Sequence, residues 1–516
     1  MSAPDKDIQA AVTAAAAPAA AGNGRVKQPR PEAMARSSGI VLLGTLTGRG
    51  LNFIAQVVLS KLLGLQAFGL FTYSNALLSF LDGICLGGFS QTTVRYIAMA
   101  RAQARPADIR RVMRVAVLVI TTLSLLISAA LFAWRGPIAR DWIGQPEMAA
   151  VLPWLAVILP VLALLSWLGF ALRAFREVGM EALIRRNVQP VALLLFAAGV
   201  SLVAPMNVHW AMAAVLASTV LAALFGLLKL RPHLPPATAA PATVATGAML
   251  HFARRVWFSR FSGLVLNQAD RLMIGSLSSL SQVGIYHAAF RIADFQTLAM
   301  GSFVPMFSTV IAEAHGRGDR PAIINYYRMV VRWSLFVTLP ICLACWVFAA
   351  PILQLFGGEF VAGVPVLRLI ALAALVDAGV GPAGQFLQMM GREKWEMRFL
   401  FGAAIMAVAL NAVLIPSHGA LGAALGSGVA IVILNVSRLL ALRKLLGVYP
   451  YTVLTVRLLA VGMLALLTVW LVSAAGIWVQ GLVLAAIMAA GSWLFCLHPD
   501  DRVMLQRLRQ RMKSRG

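Results

Sequence analysis

The sequence predicts an all-α, polytopic membrane protein with about 14 transmembrane helices. They form two six-helix lobes related by a parallel repeat, followed by two C-terminal helices. Three observations predict this class: the composition, the spacing of apolar runs and an internal repeat. Of the 516 residues, 60% are hydrophobic and 12% are charged, and the mean hydropathy is +0.81. Soluble domains carry about 45–50% apolar and about 25% charged residues, so the composition excludes a soluble globular protein.

Apolar runs long enough to cross a bilayer recur along the whole chain. They cover residues 38–60, 67–99, 112–134, 149–172, 183–204, 208–230, 252–276, 283–312, 328–349, 363–388, 397–416, 419–442, 453–474 and 477–497. These runs predict a disordered cytoplasmic N-terminal tail (1–36), an N-lobe (37–230), a cytoplasmic linker (231–250), a C-lobe (251–445), two further helices (446–498) and a basic cytoplasmic tail (499–516).

The basic residues predict the orientation of these helices. The formal net charge is +25, and with the N-terminus inside, the outer loops hold only Lys61, Arg135 and Arg140 of the 44 Lys and Arg residues. Cytoplasmic loops of membrane proteins carry such an excess, so we expect both termini in the cytoplasm. The basic excess then faces anionic lipids of the inner leaflet, and nucleic acid is not an expected partner.

An ungapped shift of 215 residues reveals a weak internal repeat. It aligns "GLF" at 69–71 with "GIY" at 284–286, Asn52 with Asn267, and Gln56 with Arg271. Because each unit holds six predicted spans, both units keep the same orientation, as in a parallel repeat.

Each predicted lobe opens with a helix that carries a polar stripe. Thr45, Arg49, Asn52, Gln56 and Ser60 lie three or four residues apart, so they share one helix face. An arginine at the bilayer centre costs roughly 2.5–3.5 kcal/mol on insertion scales, and such residues face the protein interior or a water-filled cavity. We therefore predict a substrate-binding cavity between the lobes, lined by Arg49, Arg260, Asn52, Gln56, Asn267, Arg271 and Arg291.

Four aspartates lie within predicted spans: Asp82, Asp270, Asp294 and Asp377. Asp294 follows Arg291 by three residues, a spacing that allows a local ion pair. Arg49 and Arg260 lack such a neighbour, which leaves two alternatives: pairing across helices with Asp82 or Asp377, or binding an anionic substrate. Asp82, Asp294 and Asp377 are also candidates for coupling transport to protons or Na⁺, and the membrane potential alone is a third option.

Two stretches resemble a known family. "SKLLGLQAFGLFTYSNALLSFLDGICLGGFSQTTVRY" (60–96) and "DRLMIGSLSSLSQVGIYHAAFRIADF" (270–295) are similar to bacterial polysaccharide transporters. These are the Wzx-type oligosaccharide flippases of the multidrug/oligosaccharidyl-lipid/polysaccharide (MOP) exporter superfamily. The resemblance extends over most of residues 37–445. It implies two six-helix lobes in a V and two appended helices. Arg49 and Arg260 come from the polar stripes and not from this resemblance.

The resemblance also implies a function. Such proteins move undecaprenyl-diphosphate-linked oligosaccharide repeat units across the bacterial inner membrane by alternating access, for O-antigen, capsule or exopolysaccharide synthesis. The expected partners are the lipid-linked oligosaccharide, bilayer lipids, and a polysaccharide polymerase or chain-length machinery. Guanidinium groups suit a diphosphate through bidentate, charge-assisted hydrogen bonds, and amides suit sugar hydroxyls.

Three other functions are alternatives to this interpretation. A lipid II flippase shares the architecture and a polyprenyl diphosphate substrate. A multidrug or cation antiporter of the same superfamily would favour a carboxylate-rich cavity. A polysaccharide polymerase or membrane glycosyltransferase would need a large soluble loop, whereas the longest predicted outer loops are short. The sequence contains no catalytic constellation, and the CxxC pair Cys342 and Cys345 lacks further ligands, so we expect neither an enzyme nor a metal or cofactor.

Overall fold

The computed structural model describes residues 31–236, 242–297, 311–491 and 493. Contacts divide the chain into two compact units, Met1–Leu43 and Gly44–Gly516, and the site described below lies in the second. The predicted C-terminal tail and residues 1–30 of the predicted N-terminal tail lie outside the described residues. Residues 31–36, which the sequence assigned to that tail, begin the first helix.

The described residues fold into helices joined by short turns. The N-terminal helices are α1 (Pro31–Cys85), α2 (Phe89–Ala102), α3 (Pro106–Ala133), α4 (Met148–Ala174), α5 (Gly179–Val203) and α6 (Val208–Leu230). The C-terminal helices are α7 (Thr246–Leu277), α8 (Leu280–Ala293), α9 (Arg320–Val347), α10 (Val364–Val380), α11 (Ala383–Met389), α12 (Glu393–Leu446), α13 (Val453–Leu471) and α14 (Ile477–Gly491). A 3₁₀ turn, Asp294–Thr297, continues α8.

Two of these helices are interrupted at a glycine, where the chain reverses. Gly64 in α1 has φ +74° and Gly419 in α12 has φ +54°, conformations that glycine adopts without a Cβ penalty. In α12 the two arms touch, because Asn411 Nδ2 donates to Ser427 Oγ at 3.1 Å. Each of these helices therefore supplies two antiparallel arms.

The number of crossings agrees with the sequence prediction. In the described part of the chain, nine helices are long and apolar enough to cross a membrane, and two of them are Thr47–Cys85 and Glu393–Leu446. Counting these two hairpins twice gives 11 crossings, and the shorter apolar α14 adds one. The predicted 14 are reached with α7, which is less apolar, and α8, which has only 14 residues. A helix satisfies its own backbone hydrogen bonds, which is what a lipid environment requires.

The helices form the two predicted six-helix lobes. In the N-lobe, α4 packs against α3 and α6, and α5 packs against α6. In the C-lobe, α12 packs against α7 and α10, and α10 packs against α9. The last two helices, α13 and α14, pack against each other and against α9. The predicted fold class is thus confirmed.

Aromatic side chains close the space between the lobes near the Gly64 turn of α1. Phe53 and Phe68 of α1 contact Phe356, which precedes α10, with ring centroids 5.5 and 6.4 Å apart. Ser60 Oγ donates to the backbone carbonyl of Phe356 at 2.9 Å. Gly69 also lets α1 approach the start of α8, because a Cβ there would overlap the backbone of Leu280.

The segment between the lobes is anchored to the N-lobe before it enters α7. The Asp108 carboxylate, at the start of α3, accepts hydrogen bonds from the backbone N–H groups of Thr243 and Val244 at 2.6 and 3.0 Å. Arg111 donates to Thr246 Oγ1 at 3.1 Å. These contacts fix where α7, the first helix of the C-lobe, begins.

A buried ion pair holds the two arms of α12 together at the end opposite Gly419. Arg438 donates through Nε and Nη2 to both carboxylate oxygens of Glu396, and the Glu396 side chain is 4% exposed. Removing one member of a buried pair leaves an uncompensated charge, which costs more than the pair contributes.

We predict that Arg438→Met destabilises the protein by about 3–5 kcal/mol, because the Glu396 carboxylate stays buried without its partner. Thermal unfolding in detergent measures the effect. The matched control is Arg443→Met on the same helix, where the arginine is exposed and contacts Tyr449. Equal stability of the two variants would show that the Glu396 pair does not hold the arms of α12.

Candidate functional site

A cavity lined by arginines lies between the two lobes. Its volume is about 230 Å³, and we call it the cationic chamber. The N-lobe contributes Gly48, Arg49, Asn52 and Phe53 from α1 and Arg185 and Arg186 from α5; the C-lobe contributes Arg291, Asp294 and Phe295. The chamber therefore holds four arginines against one aspartate.

Arg49 connects the two lobes across this chamber. Its Nη1 donates to the backbone carbonyl of Asp294 at 3.0 Å and to Thr297 Oγ1 at 2.9 Å. The same nitrogen lies 3.7 Å from Asp294 Oδ2. The Arg49 and Asp294 side chains are 28% and 31% exposed. A ligand in the cavity could therefore contact the guanidinium without a change in the surrounding helices.

This contact identifies the acidic partner of Arg49 and leaves anion binding untested. Its acidic partner is Asp294 of the opposite lobe, not Asp82 or Asp377. The expected local ion pair of Arg291 with Asp294 is absent among the described residues; instead Arg291 Nε donates to His287 Nε2 at 3.3 Å. The reason is geometric, since the chain leaves the α-helix at Asp294 and continues as a 3₁₀ turn.

The arginines of the chamber act on one another electrostatically. Arg186 experiences the charge of Arg49, then the opposite charge of Glu181 and those of Arg173 and Arg185. Arg291 experiences the charge of Arg271, then the opposite charge of Asp294 and that of Arg49. Like charges close together in a partly dehydrated site repel each other. A multivalent anion in the chamber would relieve this repulsion, which is the main chemical capability of the arrangement.

Gly48 explains how α5 brings two arginines so close to α1. A Cβ on Gly48 would lie 2.7 Å from the Cβ of Arg186 and would overlap the Arg186 carbonyl oxygen. The missing side chain thus allows direct contact between the two helices.

A second cavity adjoins the first, with a volume of about 170 Å³. We call it the polar chamber. It shares Asn52, Arg185 and Arg291 with the cationic chamber and adds His287 from α8. Its further polar lining comes from α1, α5 and α6 of the N-lobe: Gln56, Thr72, Asn75, Ser79, Gln189 and Ser218.

The structure brings four of the seven predicted binding residues together: Arg49, Asn52, Gln56 and Arg291. Arg260 does not line either chamber; its Nη1 donates to Ser90 Oγ at 2.9 Å, and its guanidinium lies 6.0 Å from the Phe170 ring centroid. It therefore forms a second polar bridge between the lobes, away from Arg49.

The other two predicted residues lie elsewhere on α7. Asn267 donates to the Gly263 carbonyl at 2.6 Å. Arg271 donates to the Asn267 carbonyl at 2.8 Å and lies 3.7 Å from Asp270 Oδ1. Asn267 is thus bonded within its own helix. The Arg271 guanidinium also lies 4.6 Å from the Phe290 ring centroid of α8, and its Nε has no hydrogen-bond partner in the described part of the chain.

The three candidate coupling acids lie in different surroundings. Asp294 lies in the cationic chamber. Asp82 is buried, where Oδ2 accepts from Ser166 Oγ at 2.8 Å and Oδ1 has no hydrogen-bond partner in the described part of the chain. Asp377 Oδ1 accepts from Asn435 Nδ2 at 2.8 Å within the C-lobe.

Sequence reasoning missed Arg185 and Arg186, which it counted among the cytoplasmic basic residues. They lie on α5, near its first turns, and a π-helical segment (Ile184–Val188) carries them toward α1. One signal was available: both fall inside the apolar run 183–204 and not before it.

The chain matches known proteins in sequence and in fold. A family model described as polysaccharide biosynthesis protein matches residues 34–312, and one described as MatE matches residues 256–413. The succinoglycan biosynthesis transport protein ExoT of Rhizobium meliloti (strain 1021) is 25% identical over 335 residues. The match covers 63% of this chain and 63% of that relative, so the chain spans less than two thirds of its length.

Two solved structures share the fold. The lipid II flippase MurJ in an inward closed conformation has a TM-score of 0.70 at 13% identity, over 88% of this chain and 98% of the MurJ chain. An inward-facing multidrug resistance MATE family transporter of the MOP superfamily has a TM-score of 0.63 at 14% identity, over 80% of this chain and 94% of its own. At such identities the likeness establishes the architecture only.

We predict that Gly48→Ala lowers the free energy of unfolding by about 1–3 kcal/mol, the usual effect of overpacking, because the new Cβ pushes α1 away from Arg186. The matched control is Gly50→Ala, where no atom lies within 4 Å of the added Cβ and helix propensity predicts a gain of about 0.5–1 kcal/mol. Thermal unfolding in detergent separates the two. A Gly48 variant as stable as the Gly50 variant would contradict close contact between α1 and α5.

Proposed function

Because the chain belongs to the polysaccharide biosynthesis protein family of the MOP superfamily, we propose that it is a flippase for undecaprenyl-diphosphate-linked oligosaccharide repeat units. These are precursors of O-antigen, capsule or exopolysaccharide. The protein carries them across the bacterial inner membrane by alternating access, with both termini in the cytoplasm. In this proposal the protein transports its substrate and catalyses no chemical reaction.

The cationic chamber carries this proposal. Four arginines from both lobes surround one cavity, and arginine binds phosphate oxygens through paired, charge-assisted hydrogen bonds. The diphosphate is the part of the substrate that hydrocarbon excludes most strongly, since an isolated charge pays a large desolvation cost there. The positive charge of the chamber would balance the negative charge of the diphosphate while it crosses between the leaflets.

Binding of the diphosphate acts on the contact between the lobes. In this structure the Arg49 guanidinium donates to Asp294 and Thr297 of the C-lobe. A diphosphate that takes over these donors removes a bridge between the lobes and adds its own contacts to both. Substrate binding is thereby linked to the relative position of the lobes, because a ligand shifts a conformational equilibrium only through different contacts in the two states.

The energy source is a separate question from binding. An anion that leaves a negatively charged cytoplasm gains about 2.3 kcal/mol per charge and per 100 mV, so the membrane potential alone favours outward movement of the diphosphate. Asp82, Asp294 and Asp377 remain candidates for coupling to protons or Na⁺. Of these, Asp294 contacts Arg49 directly.

A lipid II flippase is the second candidate, supported by the fold shared with MurJ. Its substrate has the same polyprenyl diphosphate, which the cationic chamber would accept equally. The match of the polysaccharide biosynthesis family model and the similarity to ExoT favour polysaccharide repeat units instead. An antiporter for organic cations is disfavoured by four arginines against one aspartate in the chamber.

We predict that Arg49→Gln slows flipping of an undecaprenyl-diphosphate-linked oligosaccharide in proteoliposomes by roughly ten- to a hundredfold, the value of one hydrogen bond to a charged group. The matched control is Arg368→Gln. This arginine also lies within a membrane helix, but it contacts the Trp346 carbonyl and ring outside the chamber. It should leave flipping unchanged.

Two results would contradict the proposal. Unchanged flipping in the Arg49 variant would restrict Arg49 to its bridge with Asp294. Transport of organic cations, without movement of the lipid-linked oligosaccharide by wild type, would establish the antiporter instead.

A further inference from the structure

The polar chamber differs from the cationic chamber in the hydrogen-bonding groups that it offers. Around its wall, five side chains already use one donor each within the protein. Thr72, Ser79 and Ser218 donate their hydroxyls to carbonyls of their own helices at 2.8–3.0 Å, as does the amide of Asn75 at 2.9 Å, and Gln189 donates to Thr219 Oγ1 at 3.2 Å. These groups keep their acceptor oxygens and, on the two amides, one further N–H.

Two more acceptors in this chamber are buried and unsatisfied. Asn52 Oδ1 and Gln56 Oε1 have no hydrogen-bond partner in the described part of the chain, and the Gln56 residue is only 8% exposed. Buried polar atoms without partners are rare and costly, and they call for a ligand or water that donates hydrogen bonds.

A wall of neutral amides and hydroxyls suits a neutral group that carries many hydroxyls. Arg185 and Arg291 add guanidinium groups to the same chamber, and His287 offers Nδ1–H because its Nε2 accepts from Arg291. A group that binds among these side chains must both donate and accept, as sugar hydroxyls do. Resting on the proposed flippase function, we propose that the polar chamber binds the first neutral, hydroxyl-rich sugars of the lipid-linked glycan.

The positions of the two chambers give the bound substrate a direction. Gln56 lies seven residues beyond Arg49 along α1, which is about 10 Å nearer the Gly64 turn. With the N-terminus inside, sugars bound near Gln56 therefore lie on the outward side of the diphosphate and enter first. Most of the sugar-binding wall belongs to the N-lobe, so the glycan stays with that lobe when the lobes move.

The test measures the affinity of the full-length protein, in nanodiscs, for two probes: undecaprenyl diphosphate, and the same lipid carrying a trisaccharide of neutral hexoses. We expect wild type to bind the trisaccharide lipid more tightly. In Asn75→Leu and in Ser79→Ala, the affinity for the trisaccharide lipid should fall about fivefold, while that for the bare diphosphate lipid changes less than twofold.

The matched control is Ser74→Ala, one residue from Asn75 on the same helix. Ser74 also donates to a carbonyl of its own helix at 2.8 Å, but it packs against Met148 outside the chamber. It should leave both affinities unchanged, and bare-lipid binding by the other variants shows that they are folded.

Four outcomes would overturn the inference, and only the last also contradicts the proposed function. Equal affinity of wild type for both probes, or equal losses for both probes in the variants, would mean that the polar chamber holds water and does not recognise sugars; the proposed flippase function would then stand. Unchanged trisaccharide binding in both variants would have the same meaning. Failure of wild type to bind either probe would remove the proposed function together with this inference.

Discussion

The main physical constraint on this fold is that arginine side chains within the membrane-spanning helices must not face lipid. Burying an unpaired charge is more expensive than any single packing contact can offset, so each such arginine needs a partner or water. Arg49 obtains both: Asp294 and Thr297 of the other lobe hold it, and a cavity reaches it. The same need places Arg260 against Ser90 and Phe170. Charges that cannot face lipid thus become contacts between the lobes.

Two kinds of contact join the lobes. Near the Gly64 turn the contacts are apolar, whereas Arg49 of α1 and Arg260 of α7 form polar bridges farther from that turn. The contacts of Phe53 and Phe68 with Phe356 are apolar and tightly packed, and such contacts separate only by exposing large surfaces. The Arg49 bridge is polar and partly hydrated, so an anion can compete for it. Under the proposed orientation, with the N-terminus in the cytoplasm, a substrate from that side would meet the weaker contact first. The proposed alternating access could then begin without a change inside either lobe.

Hydropathy and the internal repeat predicted the helix count and the two lobes because the bilayer constrains each helix separately. The orientation predicted from the basic residues stays a prediction. The stripe on α1 predicted Arg49, Asn52 and Gln56 as cavity residues, since helical spacing alone places them on one face. The equivalent stripe on α7 predicted less well: Asn267 and Arg271 turn back to their own helix. Arg185 and Arg186 were missed because their position depends on the contact at Gly48 and on a π-helical segment, neither of which periodicity reveals.

The most direct test of the central idea is a structure of the protein with an undecaprenyl-diphosphate-linked oligosaccharide bound. The account predicts that the diphosphate lies in the cationic chamber, in hydrogen-bond contact with Arg49 and at least one of Arg185, Arg186 and Arg291, and that Arg49 has left Asp294. A diphosphate bound elsewhere, with the contact between Arg49 and Asp294 intact, would contradict it and would leave these arginines a purely structural role.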